Sequence, residues 1–365
     1  MTPTQIVGAL SVLVCASACG GRSVDLDRQM TTNTSGDAAG VTLPPKTVLD
    51  ERVYSFWVDD SRLYWQAYLG AVKSCIKEDC EHTRVSYGTP WSGVAIGGHD
   101  VYWIPDAPLQ SVVFSCPSSG CSGEPRTFLH DPNNVAVTDG ADGDYFYWNS
   151  AFDIYRCPST GCAATPELVA ADEIVSNTFG ATFTFQGEYV YWPKVRSADD
   201  QGVLEIQILR APKNGSTPPE HVLPPSGSAV TTQAGFPTFG PAFAVGSKNI
   251  YWVDSDAHIL SCPVEGCGDS IPNELVSGSD LKSDLRVDDA GLYWTEANGA
   301  VSPGRVSQAL HFCAFARCAL GDSTVVIDKP VFQYELNGQF IYWAETADDD
   351  IGYPRRVERI PKPAP

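Results

Sequence analysis

Ten of the twelve cysteines fall into five pairs with one spacing: Cys75/Cys80, Cys116/Cys121, Cys157/Cys162, Cys262/Cys267 and Cys313/Cys318. Paired cysteines serve two chemistries, zinc ligation and disulfide formation. Zinc is disfavoured by the four intervening residues, by the number of pairs and by the scarcity of histidine. Residues facing one another across a hairpin have Cα atoms about 4.5–5.5 Å apart, within the range that a disulfide accepts. Five short disulfides are therefore expected, each a local staple of about 2 kcal/mol on a chain-entropy estimate.

Other reactive side chains make no pattern. His82, His99, His130, His221, His258 and His311 are scattered, with no metal spacing and no nucleophile beside them. No phosphate-binding glycine loop or nucleophile elbow occurs. Asp59-Asp60, Asp199-Asp200 and Asp348-Asp349-Asp350 could hold Ca²⁺, but they fall where turns are expected and read as solvated acids. No catalytic residue, metal or cofactor is assigned.

The cysteines must be positioned by something regular, and the chain supplies it. A Tyr-Trp dipeptide recurs seven times, with its Trp at positions 65, 103, 148, 192, 252, 294 and 343. These intervals are those of a propeller blade, about 40–50 residues. Each copy has an alternating apolar segment, a Gly/Asp/Asn turn, the Tyr-Trp strand, a third strand ending in motifs such as Arg156-Cys157-Pro158, and a fourth strand. Each cysteine pair is expected to bracket the turn between the third and fourth strands. The seventh copy stops after its third strand, while residues 45–50 read like a fourth strand. The expectation is an all-β, seven-bladed β-propeller of four-stranded blades, its ring closed by an N-terminal strand; six blades is the alternative.

Successive side chains of a strand point to opposite faces, so Tyr and Trp should each fill one wedge between neighbouring blades. The repeats resemble YWTD-type propellers and the wider TolB-like group, Leu292-Tyr293-Trp294-Thr295-Glu296 being the nearest match. That resemblance implies a fold and says nothing of a ligand.

Residues 6–14 are apolar and are followed by Ala16-Ser17-Ala18-Cys19. Such a run is too short to span a bilayer and ends as a signal segment does. Small residues before a cysteine resemble the lipobox of bacterial lipoproteins, which implies lipid on Cys19. The chain then divides into a signal segment (1–19), a flexible polar tether (20–40) and the propeller (41–365). The expected place is the bacterial cell envelope, as an outer-membrane lipoprotein or a secreted protein, touching membrane only through the lipid.

With 24 basic and 44 acidic side chains the net charge is −20, which disfavours nucleic acid as a partner. Blades four, six and seven carry long connections between second and third strands (residues 194–202, 297–307 and 346–354), and residues 226–241 are inserted before blade five. These connections and the blade-to-blade links leave the same face of a propeller; the cysteine turns leave the other. Variation on one face marks a binding face. Trp91, Arg196, Phe236, Phe239, Arg305 and Tyr353 are expected to form a contact rim there. The expected role is non-enzymatic binding or scaffolding of an envelope protein, peptide or glycan. A hydrolase or lyase at the central channel is the alternative.

Overall fold

The computed structural model describes residues 44–363 apart from 106–111, 131–138, 151–152, 163–164, 172–182, 199–202, 224–229, 234–242, 255, 269, 279–281, 298–307, 319–320 and 346–352. Seven antiparallel sheets make a seven-bladed β-propeller, and the six-bladed alternative is excluded; each blade has four strands, in chain order except that blade seven takes its outermost strand from the N-terminal side, and blade four carries a fifth. Blade one runs Val53–Val58, Arg62–Ala67, Val72–Ile76 and Val85–Gly88 from the inside outward. Every Tyr-Trp pair sits on the second strand of its blade.

Blade seven is completed from the N-terminal side. Lys46–Leu49 pairs antiparallel with Val357–Pro361, Lys46 opposite Arg359 and Leu49 opposite Val357. Leu49 is buried in a cluster containing Leu63 and Trp65 of blade one and Tyr342, Ala344 and Val357 of blade seven. One short strand thus welds the two ends of the ring by hydrogen bonds and apolar contact.

All seven motif tryptophans are at most 1% exposed. Magnitudes explain why they are there. Burying about 200 Å² of indole is worth about 5 kcal/mol at roughly 25 cal/mol/Å². An unmet N–H costs about 1–3 kcal/mol. Burial wins, and Nε1 of Trp65, Trp148, Trp192, Trp252 and Trp343 finds no partner. Blade six, which has the full Tyr-Trp-Thr-Glu sequence, is better satisfied: Trp294 donates to Glu296 (2.9 Å) and the Thr295 and Ser283 hydroxyls meet at 2.9 Å. Phenols fare better than indoles. Tyr102 and Tyr147 donate to the carbonyls of Ser159 and Lys213, both at 3.5 Å, in the third-to-fourth-strand turn of the next blade.

The five cysteine pairs form disulfides within their own blades: Cys75–Cys80, Cys116–Cys121, Cys157–Cys162, Cys262–Cys267 and Cys313–Cys318, with Cα atoms 4.8–5.3 Å apart. The pairing is as expected, but the place of the second cysteine needs correction. The first of each pair lies on the third strand. Cys80, Cys162 and Cys267 lie within the turn, rather than facing it from the fourth strand, which begins only at Val85, Glu167 and Asn273. The reason is a tight turn made as soon as the third strand ends. The N–H groups of Asp79, Gly161 and Gly266 donate to the carbonyls of Ile76 (3.0 Å), Pro158 (3.0 Å) and Pro263 (2.9 Å), folding the second cysteine back over the strand end. Cys121 likewise precedes its fourth strand, and in blade six the bridged turn is a single helical turn, Phe315–Cys318.

These turn cysteines also reach the preceding blade, which a purely local staple would not do. Cys80 is buried in the cluster that holds Tyr342 of blade seven. The N–H groups of Cys162 and Cys267 donate to the carbonyls of Phe128 in blade two and Val222 in blade four, both at 3.4 Å.

Blade four departs from expectation. The residues read as a loop from 194 onward continue the sheet: its second and third strands are Tyr189–Ala198 and Val203–Pro212. The insertion before blade five contributes another strand, Val230–Gln233, which pairs with Val203–Ile206. Val203, Leu204, Ile206 and Ile208 favour a pleated strand, and the added strand satisfies backbone groups that a bare hairpin arm would leave to water.

Candidate functional site

Strand direction fixes two faces. The second-to-third-strand connections and the blade-to-blade links share one; the first-to-second-strand turns and the disulfide turns share the other. Blade four's sheet extension lies on the first of these, the long-loop face. Two rim positions need correction. Trp91 belongs to the first strand of blade two (Pro90–Gly97) rather than to the connection before it, and Arg196 belongs to a strand rather than a loop. In each case backbone pairing reaches further than composition suggested, and both stay at the long-loop ends of their strands. Phe236, Phe239, Arg305 and Cys19 lie outside the described residues.

Tyr353 is the rim residue around which a site is built. Its loop is pinned where the Val53 N–H of blade one donates to the Pro354 carbonyl (2.9 Å). Its ring centroid lies 5.2 Å from that of Tyr54, 4.9 Å from Tyr68 and 5.9 Å from Phe332. Tyr54 is the second residue of the first strand of blade one (Val53–Val58), Tyr68 follows that blade's second strand, and Phe332 is the second residue of the first strand of blade seven (Val331–Asn337). Four rings from two blades therefore meet on the long-loop face at the seam where the ring closes. Burial, and then the neighbouring phenols of Tyr54 and Tyr68, push the Tyr353 hydroxyl above its ordinary range, so it stays a neutral donor.

Exposure distinguishes this cluster from core. Tyr54 is 42% exposed, and Leu69, directly after Tyr68, is 87% exposed. Leu69 also holds φ at +54°, a left-handed conformation that penalises a leucine. The Arg52 guanidinium lies 5.9 Å from the Tyr68 ring centre, and the exposed Arg355 and Arg356 follow Tyr353 in the chain, Arg356 pairing with Glu358 (3.1 Å). The sequence reading missed Tyr54, Tyr68 and Leu69. Their signal was positional: all three stand at long-loop ends of strands in the blade that meets the last one.

A second constellation lies on the innermost strands. Arg286 of blade six bonds Asp284 (3.2 Å) and Glu335 of blade seven (2.7 Å). Gln333 of blade seven donates to the Phe56 carbonyl of blade one (2.6 Å) and accepts the Phe56 N–H (3.1 Å). Asp284 sits in a bulge with φ +47°. Burial raises the Asp284 and Glu335 carboxyls, against the pull of Arg286. Two acids share one guanidinium, and the group ties three blades together.

Several solved structures share the fold. YCF48 from Cyanidioschyzon merolae matches over 88% of this chain and 97% of its own, with TM-score 0.51 and 11% identity. The WD40 β-propeller domain of Doa1 matches over 87% and 96%, with TM-score 0.50 and 10% identity. A computationally designed protein, Ika8, matches over 82% and 84%, with TM-score 0.51 and 9% identity. The likeness is one of fold. No family model and no curated protein matches the sequence.

The acidic turns are accounted for locally. Asp59 and Asp60 lie in a turn as expected, and Asp60 is exposed, but the half-buried Asp59 carboxylate caps that turn, accepting the N–H groups of Ser61 and Arg62 (both 2.7 Å) and the Tyr64 hydroxyl (2.6 Å). Asp254, Asp256 and His258 in the second-to-third-strand connection of blade five bring three donor atoms within 4.8 Å of one another. There too Asp254 is already engaged, accepting the N–H groups of Asp256 (2.9 Å) and His258 (2.8 Å). Asp199-Asp200 and Asp348-Asp349-Asp350 lie outside the described residues.

Proposed function

We propose that this chain is an exported, non-enzymatic binding or scaffold propeller of the bacterial envelope that engages a protein partner through its long-loop face. In this reading residues 1–19 direct export, lipid on Cys19 anchors the chain, and residues 20–40 form the tether. The repeats are kin to the YWTD-type and TolB-like propellers, a view supported by the bonding of Thr295 and Glu296 in blade six. The observation that carries the binding role is the convergence of Tyr54, Tyr68 and Tyr353 from two blades on one face beside an exposed leucine. Tyrosine and arginine dominate many protein interfaces because each couples large contact area to a polar handle.

The test is site-specific photo-crosslinking in the producing bacterium. A photoreactive residue at position 54 should give a discrete adduct with another protein, and one at position 265, in a disulfide turn, should give none. Equal labelling from both, or none from either, overturns the binding-face reading. Labelled palmitate should enter the wild type and not Cys19→Ser, and its absence from both overturns the anchor.

A hydrolase or lyase acting at the channel is the second reading, and Asp284 and Glu335 favour it: an acid with a raised pKa on a strained bulge is how a proton donor is prepared. Turnover of a polysaccharide or peptide panel that Glu335→Gln abolishes without loss of folding would establish it over the binding role.

A further inference from the structure

Lys77, Lys213 and Lys362 occupy one position of the repeat, at the end of the third strand in blades one, four and seven. Each reaches back to the first-to-second-strand turn of the preceding blade. Lys213 meets the Asp142 carboxylate there at 3.0 Å, and Lys362 meets that of Asp288 at 2.7 Å. Lys77 makes the same reach across the seam where the ring closes, and its Nζ bonds Oδ1 of Asn337. Asp142, Asp288 and Asn337 are equivalent: each follows the first-strand residue paired with the one before the motif tyrosine (Ala141 with Phe146, Val287 with Leu292, Leu336 with Ile341). Only at the seam does an amide stand in place of the acid. An ammonium facing a carboxylate forms an ion pair and goes no further. An amine facing a carboxamide can be acylated by it.

The surroundings favour that reaction. Lys77 is 8% exposed; it donates also to the Asp59 carbonyl (2.7 Å) and lies 5.7 Å from the centre of the Tyr342 ring. Among the described residues no carboxylate pairs with it directly. Burial lowers the ammonium below its ordinary range, although Glu78, Asp59 and Asp60 pull the other way. The neutral amine is the form in which a lysine is a nucleophile. At the other end of the amide, Asn337 Nδ2 donates to the Asp60 carboxylate (3.5 Å). Amine, carboxamide and carboxylate are thus brought together by two blades.

We propose that Lys77 and Asn337 condense to an isopeptide bond that joins blade one covalently to blade seven. The Lys77 amine, having released its proton to solvent, attacks Asn337 Cγ. Asp60 takes a proton from the attacking nitrogen and returns it to Nδ2; the Cγ–Nδ2 bond breaks and ammonia leaves. The fold supplies every reactant. The closing strand seals the ring by hydrogen bonds, and this bond makes the closure permanent whatever the long-loop face holds.

Peptide mapping of the purified full chain, with its disulfides reduced, tests the bond. A branched peptide should contain both Lys77 and Asn337 and weigh one ammonia less than its two arms together. A single protease cut between residues 77 and 337 should give fragments that stay joined on a reducing denaturing gel. In Lys77→Arg and in Asn337→Ala they should separate. Asp60→Ala keeps both reactants and should slow the reaction about 100-fold, read as the crosslinked fraction over time after synthesis. Unlinked Lys77 and Asn337 peptides from the wild type would overturn the bond, and that map decides whether or not the variants fold. Aspartate or isoaspartate at position 337, made by the competing attack of the Gly338 nitrogen, would overturn it equally. Crosslinking of Asp60→Ala at the wild-type rate would overturn the part assigned to Asp60.

Discussion

Lys362 Nζ of blade seven lies 2.7 Å from the Asp288 carboxylate in the first-to-second-strand turn of blade six. Blade four repeats the arrangement, Lys213 reaching Asp142 of blade three at 3.0 Å. Both lysines stand two residues after the position where the other five blades have their first cysteine, and blades four and seven are the two without a disulfide. Where the turn is not stapled to itself, it is latched to the neighbouring blade.

Replacing these lysines should therefore cost stability although neither is in the core. Asp142 is only 3% exposed, so Lys213→Met leaves a buried carboxylate unpaired and should cost about 2 kcal/mol, with Lys362→Met costing about 1 kcal/mol. Urea unfolding of the two variants checks the order. Equal and negligible effects would mean that the turns hold without the latch.

Each disulfide closes a loop so short that its loss is a local matter. Replacing Cys116 and Cys121 together by serine should lower stability by about 2 kcal/mol, and the other four pairs should stay oxidised. Non-reducing peptide maps of wild type and variant are the measurement, and any bridge between different blades contradicts the pairing.

Ring closure places a heavier load on one side chain. Leu49→Ala removes the apolar contact between blades one and seven and should cost about 2–4 kcal/mol. Deleting residues 44–50 should lower the melting temperature far more than deleting residues 20–40. Equal melting temperatures for the two deletions refute closure by this strand.

The inner carboxylates give the protein a signature in pH. Asp284 and Glu335 have folded-state values raised above the unfolded range of about 4. A raised acid stabilises the fold fully below its unfolded value and loses that contribution as pH rises through the folded value. Wild type should therefore give up stability as pH rises above about 4, and Glu335→Gln should flatten that slope. Asp59 works in the other direction. Burial alone would raise it, but hydrogen bonds from Tyr64, Ser61 and Arg62 hold it below the usual range, so its contribution is present at neutral pH and lost only in acid. Melting curves of Glu335→Gln and Asp59→Asn across pH 3–8 should diverge from wild type at opposite ends.

The fold was legible because the same local problem is solved seven times. Each wedge between blades needs a large ring on each side, so Tyr-Trp marks every second strand whatever the loops do, and the absent fourth strand of the last repeat pointed to residues 45–50. Connections carry no such signal. Residues 194 onward looked like loop because Lys194, Arg196 and Ser197 suit solvent, while pairing with Val203–Pro212 and the strand Val230–Gln233 is a long-range event that composition does not encode. The cysteine spacing revealed who pairs with whom, but the tight turns that keep Cys80, Cys162 and Cys267 off the fourth strand left no mark in it. Of the candidate rim, Tyr353 is the residue whose surroundings are defined, and Tyr54 and Leu69 went unseen because they lie nearly 300 residues from it in the chain. The Asp284–Arg286–Glu335 group was equally hidden, since only closure of the ring brings blades six, seven and one together.

The closing strand runs from Lys46, beside the disulfide turns, to Leu49, near the long-loop face. A chain anchored ahead of residue 44 and holding a partner at the opposite face would be pulled along the axis of that strand. The ladder between Lys46–Leu49 and Val357–Pro361 would then bear the force in shear, its hydrogen bonds loaded together, rather than being peeled apart one at a time. The weld that completes the ring is thus oriented to resist most strongly a pull directed along that strand, from one face of the propeller to the other.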